Sequence, residues 1–373
     1  MHLWQPLLTR VIMLVDLDYF FAQCEELRNP ALRDKPVVVC VYSGRNEDSG
    51  AVSTANYIAR KYGVKSGMPI FSAKKKLEGC DAAFLAVDHQ FYEEVSENVM
   101  NLLEAYADQF EQVGIDEAYL DVTERVGGSF QEAELLAETV KAEMRNQLKL
   151  TCSVGGGPNK LVAKIAADEK KPDGLVVIAP DQVKSFLAPL PVDRLIGVGT
   201  KTLEKMQMRG ISKVGDLAKY DVQKLIAVFG KTLGTYFHNA SLGVDNEPVR
   251  ESGEAESISR VATLKQDTKD LTLILEQTDR ICNYVYDRIK EEKLTFKTVG
   301  IVAITKDMKV HTRSRTFENP SNSLELIKKT VAELFEKFQS DTQLETRRIG
   351  VKVSNFARLE KGQKQLTSFI EPA

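Results

Sequence analysis

The chain of 373 residues has little cysteine: five, at positions 24, 40, 80, 152 and 282, an odd number with no C-x-x-C pair. That argues against a disulfide framework. The four histidines lie far from them in sequence, which argues against zinc. Neither sign of charge dominates, with 50 Lys and Arg against 53 Asp and Glu, so no global basicity points to nucleic acid. There is no long apolar run. Val11–Val15 is too short to span a bilayer and ends on an aspartate. The opening MHLWQPLLTR lacks the apolar core and small-residue cleavage site of a signal peptide. The expectation is a cytoplasmic protein with reduced thiols and no membrane segment.

The hydrophobic patterning gives three blocks. Up to about residue 180, short buried-looking strands (VIMLVD, KPVVVCVY, LTCSVGGG) alternate with amphipathic helices. From about 181 to 243, short helices are punctuated by glycine. A polar, Glu-rich stretch, VDNEPVRESGEAESIS, reads as a linker. Beyond it the order strand–helix–strand–strand–helix–strand runs to Ser354, and a polar tail follows. The fold class predicted is α+β and multidomain.

Acidic residues sit where burial is expected. Asp16 ends the first strand, and GIDEAYLD sets Asp116 and Glu117 on another. Buried carboxylates are costly unless paired or bound to metal. No Lys or Arg lies within either short motif, which favours Mg²⁺ over an ion pair. Neighbouring Asp116 and Glu117 share one site only at a strand end or bulge. A solvated strand end is the competing reading of either motif alone. Carboxylates bridging two Mg²⁺ ions serve phosphoryl or nucleotidyl transfer. A triphosphate also needs cations. In STANYIARK, a helix capped at Ser53 or Thr54 puts Tyr57 and Arg60 on one face and frees N–H groups near Thr54. Lys171, in EKKPDG, is a second candidate, and a plain turn lysine is its alternative.

VDLDYFFAQCEE, SGAVSTANYIARKYGVKSGMPI, GIDEAYLDV and NKLVAKIAADEKKPDG, in this order, resemble the Y-family translesion DNA polymerases, most closely the archaeal-type DNA polymerase IV (DinB-like) branch. The likeness covers about residues 11–355. It implies a right-hand polymerase: palm at 1–19 and 86–180, fingers at 20–85, and a helical thumb with a helix-hairpin-helix at 181–244. A linker at 245–255, an α+β little finger at 256–355 and a tail at 356–373 complete it. It implies that Asp16, Asp116, Glu117 and the Leu17 carbonyl bind two Mg²⁺ ions, with Asp16, Asp116 and Glu117 catalytic. Thr54, Tyr57, Arg60, Lys171 and the Tyr19 and Phe20 backbone would hold the triphosphate. Phe21 would be the steric gate that excludes a 2′-hydroxyl, whereas Phe20 reads as core. Val41, Ala51, Ser53 and Gly67, all small, would line a permissive base-pair pocket and lower fidelity.

DNA contacts are expected in two places. Gly197 and Gly199, in RLIGVGTKTLEKMQMRGI, resemble a helix-hairpin-helix turn that binds phosphate, with an ordinary glycine turn as the alternative. In KVHTRSRTF, Lys309, His311, Arg313 and Arg315 alternate, as Arg348 and Lys352 do in RRIGVKVS, and both patterns predict a basic sheet face. A solvated sheet is the alternative there. In the tail, Gln363, Leu366, Phe369 and Ile370 resemble the motif that docks on a PCNA-like sliding clamp. The expected partners are therefore primer–template DNA, dNTPs and a clamp, with the protein monomeric. The function implied is low-fidelity, poorly processive, template-directed DNA synthesis past lesions, without a proofreading exonuclease. A non-catalytic DNA-binding accessory with the same shape is the alternative, and a palm-type nucleotidyl cyclase is a third reading that leaves the hairpin and basic sheet unused.

Overall fold

The computed structural model describes residues 8–251, 253 and 255–358. It divides into two compact units. The first comprises residues up to 40, 52–68 and 73–253, and the second comprises 41–51, 69–72 and the described residues from 255 onward.

In the chain's first part the elements run β1 (Ile12–Leu17), α1 (Phe20–Arg28), β2 (Val37–Tyr42), β3 (Gly50–Ala55), α2 (Tyr57–Lys61), α3 (Ile70–Lys76) and β4 (Ala83–Ala86). Then come α4 (His89–Glu104), β5 (Gln109–Gln112), β6 (Glu117–Asp121), α5 (Phe130–Glu143), β7 (Cys152–Gly157), α6 (Lys160–Glu169) and β8 (Leu175–Val177). Four further helices follow: α7 (Val183–Leu187), α8 (Thr200–Gln207), α9 (Val214–Ala218) and α10 (Val222–Ser241). The main sheet has the order β5-β6-β1-β7-β8, with β1 antiparallel to both β6 and β7.

Because β1 is central and covered on both faces, all six of its residues are buried. Its odd-numbered residues, Met13 and Val15, pack with Tyr92, Val99 and Leu103 of α4 and with Ala137 and Val140 of α5. Its even-numbered residues, Ile12 and Leu14, pack with Ala163 and Ala167 of α6. The two-residue period therefore turns Asp16 toward α6, away from the larger core. The helices α7–α10 form a further cluster around Leu187, Met206, Leu217 and Phe237, which Leu161, Val162 and Ile165 of α6 join.

In the second unit, β9 (Ser257–Thr268), α11 (Leu271–Glu291), β10 (Leu294–Thr305), β11 (Val310–Ser321), α12 (Leu324–Thr342) and β12 (Thr346–Arg358) follow one another in the order the hydrophobic pattern predicts. Asp270 caps α11 and Ser323 caps α12, each through its side-chain oxygen. The sheet, of order β11-β10-β12-β9, is antiparallel throughout. Val299, Ile301 and Ala303 of β10 and Ile349, Val351 and Val353 of β12 face α11 and α12 in one core.

Register corrects the expected basic face. His311, Arg313 and Arg315 lie opposite Ala303, Ile301 and Val299, on the helix side of the sheet. Arg348 and Lys352 lie opposite Ile304 and Gly300, on the other side. The two basic sets thus occupy opposite faces. β11 is an edge strand, and its helix-side residues lie along α12. The His311 ring sits 5.4 Å from that of Phe338, Arg313 pairs with Asp341 at 3.0 Å, and Arg315 pairs with Glu333. Lys309 precedes β11 and pairs with Asp307 at 2.9 Å.

Candidate active site

Asp16 and Glu117 are direct cross-strand partners on β1 and β6. Asp116 lies just before β6, and its carbonyl accepts the Leu17 N–H at 2.8 Å. This strand-end placement lets two adjacent acids share one site. Asp16, Asp116 and Glu117 line a cleft of about 370 Å³ in the first unit, together with Leu17, Tyr57, Arg60 and Lys171. Burial, then the Asp16 and Glu117 carboxylates, push the Asp116 carboxyl above its ordinary range.

The expectation that no basic group would neutralise these acids is corrected. The Lys164 ammonium lies 3.2 Å from Asp16 Oδ2 and also donates to Glu117 Oε2. Lys171 Nζ is 2.8 Å from Asp16 Oδ2 and 2.9 Å from Asp168 Oδ1. Burial disfavours the charge on Lys164, but Glu117 and Asp16 outweigh it and raise the pKa. Among the described residues, no three Asp, Glu, His or Cys side chains are grouped so as to hold one ion. The four carboxylates lining the cleft, Asp16, Asp18, Asp116 and Glu117, against Lys164, Lys171 and Arg60 still leave a negative excess, and the hard oxygens of Asp16, Asp116 and Glu117 suit a small divalent cation once an ammonium moves aside.

Lys164 went unassigned in the sequence because its partners are remote, yet LVAKIAA carries a signal: one charge inside an apolar helix run. Glycine brings that helix in. A Cβ on Gly155 would lie 2.1 Å from the Ala163 carbonyl and 2.2 Å from the Ala167 nitrogen. Only glycine lets α6 approach β7 so closely.

Asp18, the second acid of VDLD, does a different job. It accepts from Ser153 Oγ at 2.7 Å and from the Asp173 N–H at 2.8 Å. Asp173 in turn pairs with Lys141 at 2.8 Å and Arg145 at 2.5 Å. The turn after Lys171 is thereby tied to the end of β1.

Ser53 and Thr54 belong to β3, and the cap of α2 is Asn56, whose side chain accepts the Ala59 N–H. The expected cap at Ser53 or Thr54 is thus corrected: buried Asn56 also bonds Val37, Lys35 and Glu26, which fixes the helix start at Tyr57. Ser53 and Thr54 still line the cleft. The Arg60 guanidinium stacks 4.7 Å over the Tyr57 ring, and its Nε donates to the Ala55 carbonyl at 2.8 Å. Tyr19, at φ 36°, opens α1, and its ring meets that of Tyr57 edge-on.

Phe20 is buried, as expected of a core residue, though it also edges the cleft. Phe21 is half-buried and does not line the cleft. It stacks on Tyr92 at 4.4 Å, and the Tyr92 hydroxyl donates to Glu25 at 2.7 Å. Gly67, at φ 79°, bonds the Val52 carbonyl. Val41 and Ala51 belong to the second unit, where Val41 is exposed and Ala51 bridges to Pro69. Gly197 turns at φ 85°, and Gly199 opens α8 without a side-chain cap. Gln363, Leu366, Phe369 and Ile370 lie outside the described residues.

Residues 15–168 match the impB/mucB/samB family, and residues 255–368 match that family's C-terminal domain. Residues 193–245 match the thumb domain of DNA polymerase iota. The chain is 45% identical to DNA polymerase IV of Nitrosopumilus maritimus, over 97% of this chain and all of that protein. It resembles a solved Y-family DNA polymerase chimera of Dbh and Dpo4 at 37% identity and a TM-score of 0.88, over 94% of this chain and all of that one. An insertion ternary complex of Dbh DNA polymerase matches the same shares at 36% identity and a TM-score of 0.68. The ordered acidic strand ends, the helical thumb and the C-terminal sheet domain carry one conclusion: the chain belongs to the Y family of translesion DNA polymerases, the impB/mucB/samB family.

Proposed function

We propose that the chain is a monomeric, cytoplasmic, low-fidelity and poorly processive polymerase that adds dNTPs to a primer 3′ end on damaged templates without proofreading. The observation that carries this reading is the cleft of the first unit, where three carboxylates from adjacent strands meet Arg60, Lys171 and Tyr57. Asp16, Asp116, Glu117 and the Leu17 carbonyl would hold two Mg²⁺ ions. Such ions, when bound, activate the attacking hydroxyl and neutralise the leaving phosphates.

The chain's own residues do the rest. Arg60, preset by its stack on Tyr57, offers a planar donor to a phosphate. Lys171 exchanges Asp16 for the triphosphate, and Thr54 and the Tyr19 and Phe20 backbone complete the cradle. Ser53 and Gly67 would border the base pair. The domain boundaries given above and a clamp-docking tail belong to the same proposal. Primer extension with Mg²⁺, with EDTA, with and without a clamp, and across lesions tests it. No extension with Mg²⁺ on any template overturns it.

Phe21 would bar ribose, held upright by its stack on Tyr92. Phe21→Ala is expected to raise ribonucleotide insertion relative to deoxyribonucleotide by roughly 10- to 100-fold. Competing single insertions measure the ratio, and an unchanged ratio removes Phe21 from the gate.

For the second unit, DNA phosphates are proposed to meet the helix-free side of the sheet, where Arg348 and Lys352 stand among Ser259, Thr312, Ser314 and Thr316. Lys352→Ala should lower DNA affinity a few-fold and reduce the slope of log affinity against log salt by about one. Arg315→Ala, on the helix side, should leave that slope unchanged. The opposite ranking in a salt titration would move the DNA to the other face.

A further inference from the structure

We propose that Lys164 is a built-in counter-ion of the acidic cleft: without metal its ammonium stands between Asp16 and Glu117, and it must vacate that place before a divalent cation binds. The inference rests on the reading above that these carboxylates are metal ligands.

The geometry separates Lys164 from Lys171. Lys171 follows α6, on the stretch that leads into a turn, and has a second partner in Asp168 at 2.9 Å. Lys164 rises from the middle of α6, and among the described residues its ion pairs are with Asp16 and Glu117. Its side chain is 25% exposed, and those of its partners are 10% and 25% exposed. The helix beneath it is held against β7 at Gly155, so Lys164 leaves the acids by side-chain rotation rather than by helix movement.

An ammonium and a divalent cation compete for the same carboxylate oxygens and repel each other. Lys164 therefore does two opposed things. It offsets repulsion among Asp16, Asp116 and Glu117 in the metal-free protein, and it weakens metal binding by the free energy of its own pairing. A lysine that merely oriented these acids for a metal would strengthen binding instead. The sign of the change on removing it separates the two roles.

The test uses full-length protein without DNA or nucleotide, titrated with Mn²⁺ and followed by the EPR signal of free Mn²⁺. Lys164→Met and Lys164→Gln are expected to bind Mn²⁺ about 5- to 50-fold more tightly than the parent. Lys164→Arg keeps the charge and should stay near the parent value. The metal-free Tm should fall in the Met and Gln variants, and the gap to the parent should narrow at saturating Mn²⁺. Equal or weaker Mn²⁺ affinity in whichever of the two neutral variants folds overturns the counter-ion role. A parent that binds Mn²⁺ no better than its Asp116→Asn variant overturns the metal-ligand reading itself, a result distinguishable from the first.

Discussion

Asp116→Asn is expected to lower single-nucleotide insertion by roughly 10³-fold or more, while the metal-free protein should melt at the same temperature as the parent or higher. Both halves follow from the crowding of like charges. Burial, then Asp16 and Glu117, hold the Asp116 carboxyl above its usual range. A group whose carboxyl titrates higher in the fold than in the unfolded chain favours folding in its protonated form. Its contribution is fully present below the unfolded pKa and declines as pH rises through the folded one. The charged form of Asp116 therefore opposes folding, and an isosteric amide relieves it. Glu117→Gln should abolish insertion as well but lower the melting temperature, because Lys164 loses an ionic partner. Steady-state insertion with Mg²⁺ and a thermal melt in EDTA check the pair. An Asp116→Asn protein that inserts within tenfold of the parent refutes the catalytic role. One that loses activity together with stability marks Asp116 as a structural residue.

Much of this arrangement was legible along the chain, because it is written in local composition and spacing. The buried run ending at Asp16 follows from its length and Val/Ile content, the placement of Asp116 and Glu117 on a strand from the aromatic and β-branched residues around them, and the β9–β12 unit with its two helices from strand and helix patterning. What escaped depends on pairs formed through space. Lys164 is 47 residues from Glu117, so no local pattern joins them. Ser53 or Thr54 is the cap that local preference suggests, because Ser and Thr suit caps, but buried Asn56 reaches Val37, Lys35 and Glu26 at once, and tertiary bonding outweighs local preference. The basic strands were each correctly alternating. Which side each alternation faced was set by register against β10, and register is a property of the assembled sheet. Asp18 shows the same divide: its acidity was visible, but its bond to the turn after Lys171 was not.

The most damaging single methyl group in the first unit should be the one added by Gly155→Ala. The new Cβ would fall 2.1 Å from the Ala163 carbonyl oxygen and 2.2 Å from the Ala167 nitrogen, with the Ala167 Cα at 2.8 Å. All three are backbone atoms of α6, not the movable tip of a side chain, so relief requires shifting the helix. Ala163 and Ala167 are themselves buried against Ile12 and Leu14, which leaves no smaller residue to yield. Overpacking of this kind costs about 3 kcal/mol or more, and the displaced helix carries Lys164 and leads directly to Lys171. Gly199→Ala is the matched control. A Cβ there meets nothing within 4 Å and its φ is −84°, so stability should change by less than about 0.5 kcal/mol. Urea unfolding of the two variants beside the parent decides the matter. Should Gly155→Ala unfold within about 1 kcal/mol of the parent, α6 is free to give way, and a helix that gives way does not hold Lys164 and Lys171 over the carboxylates.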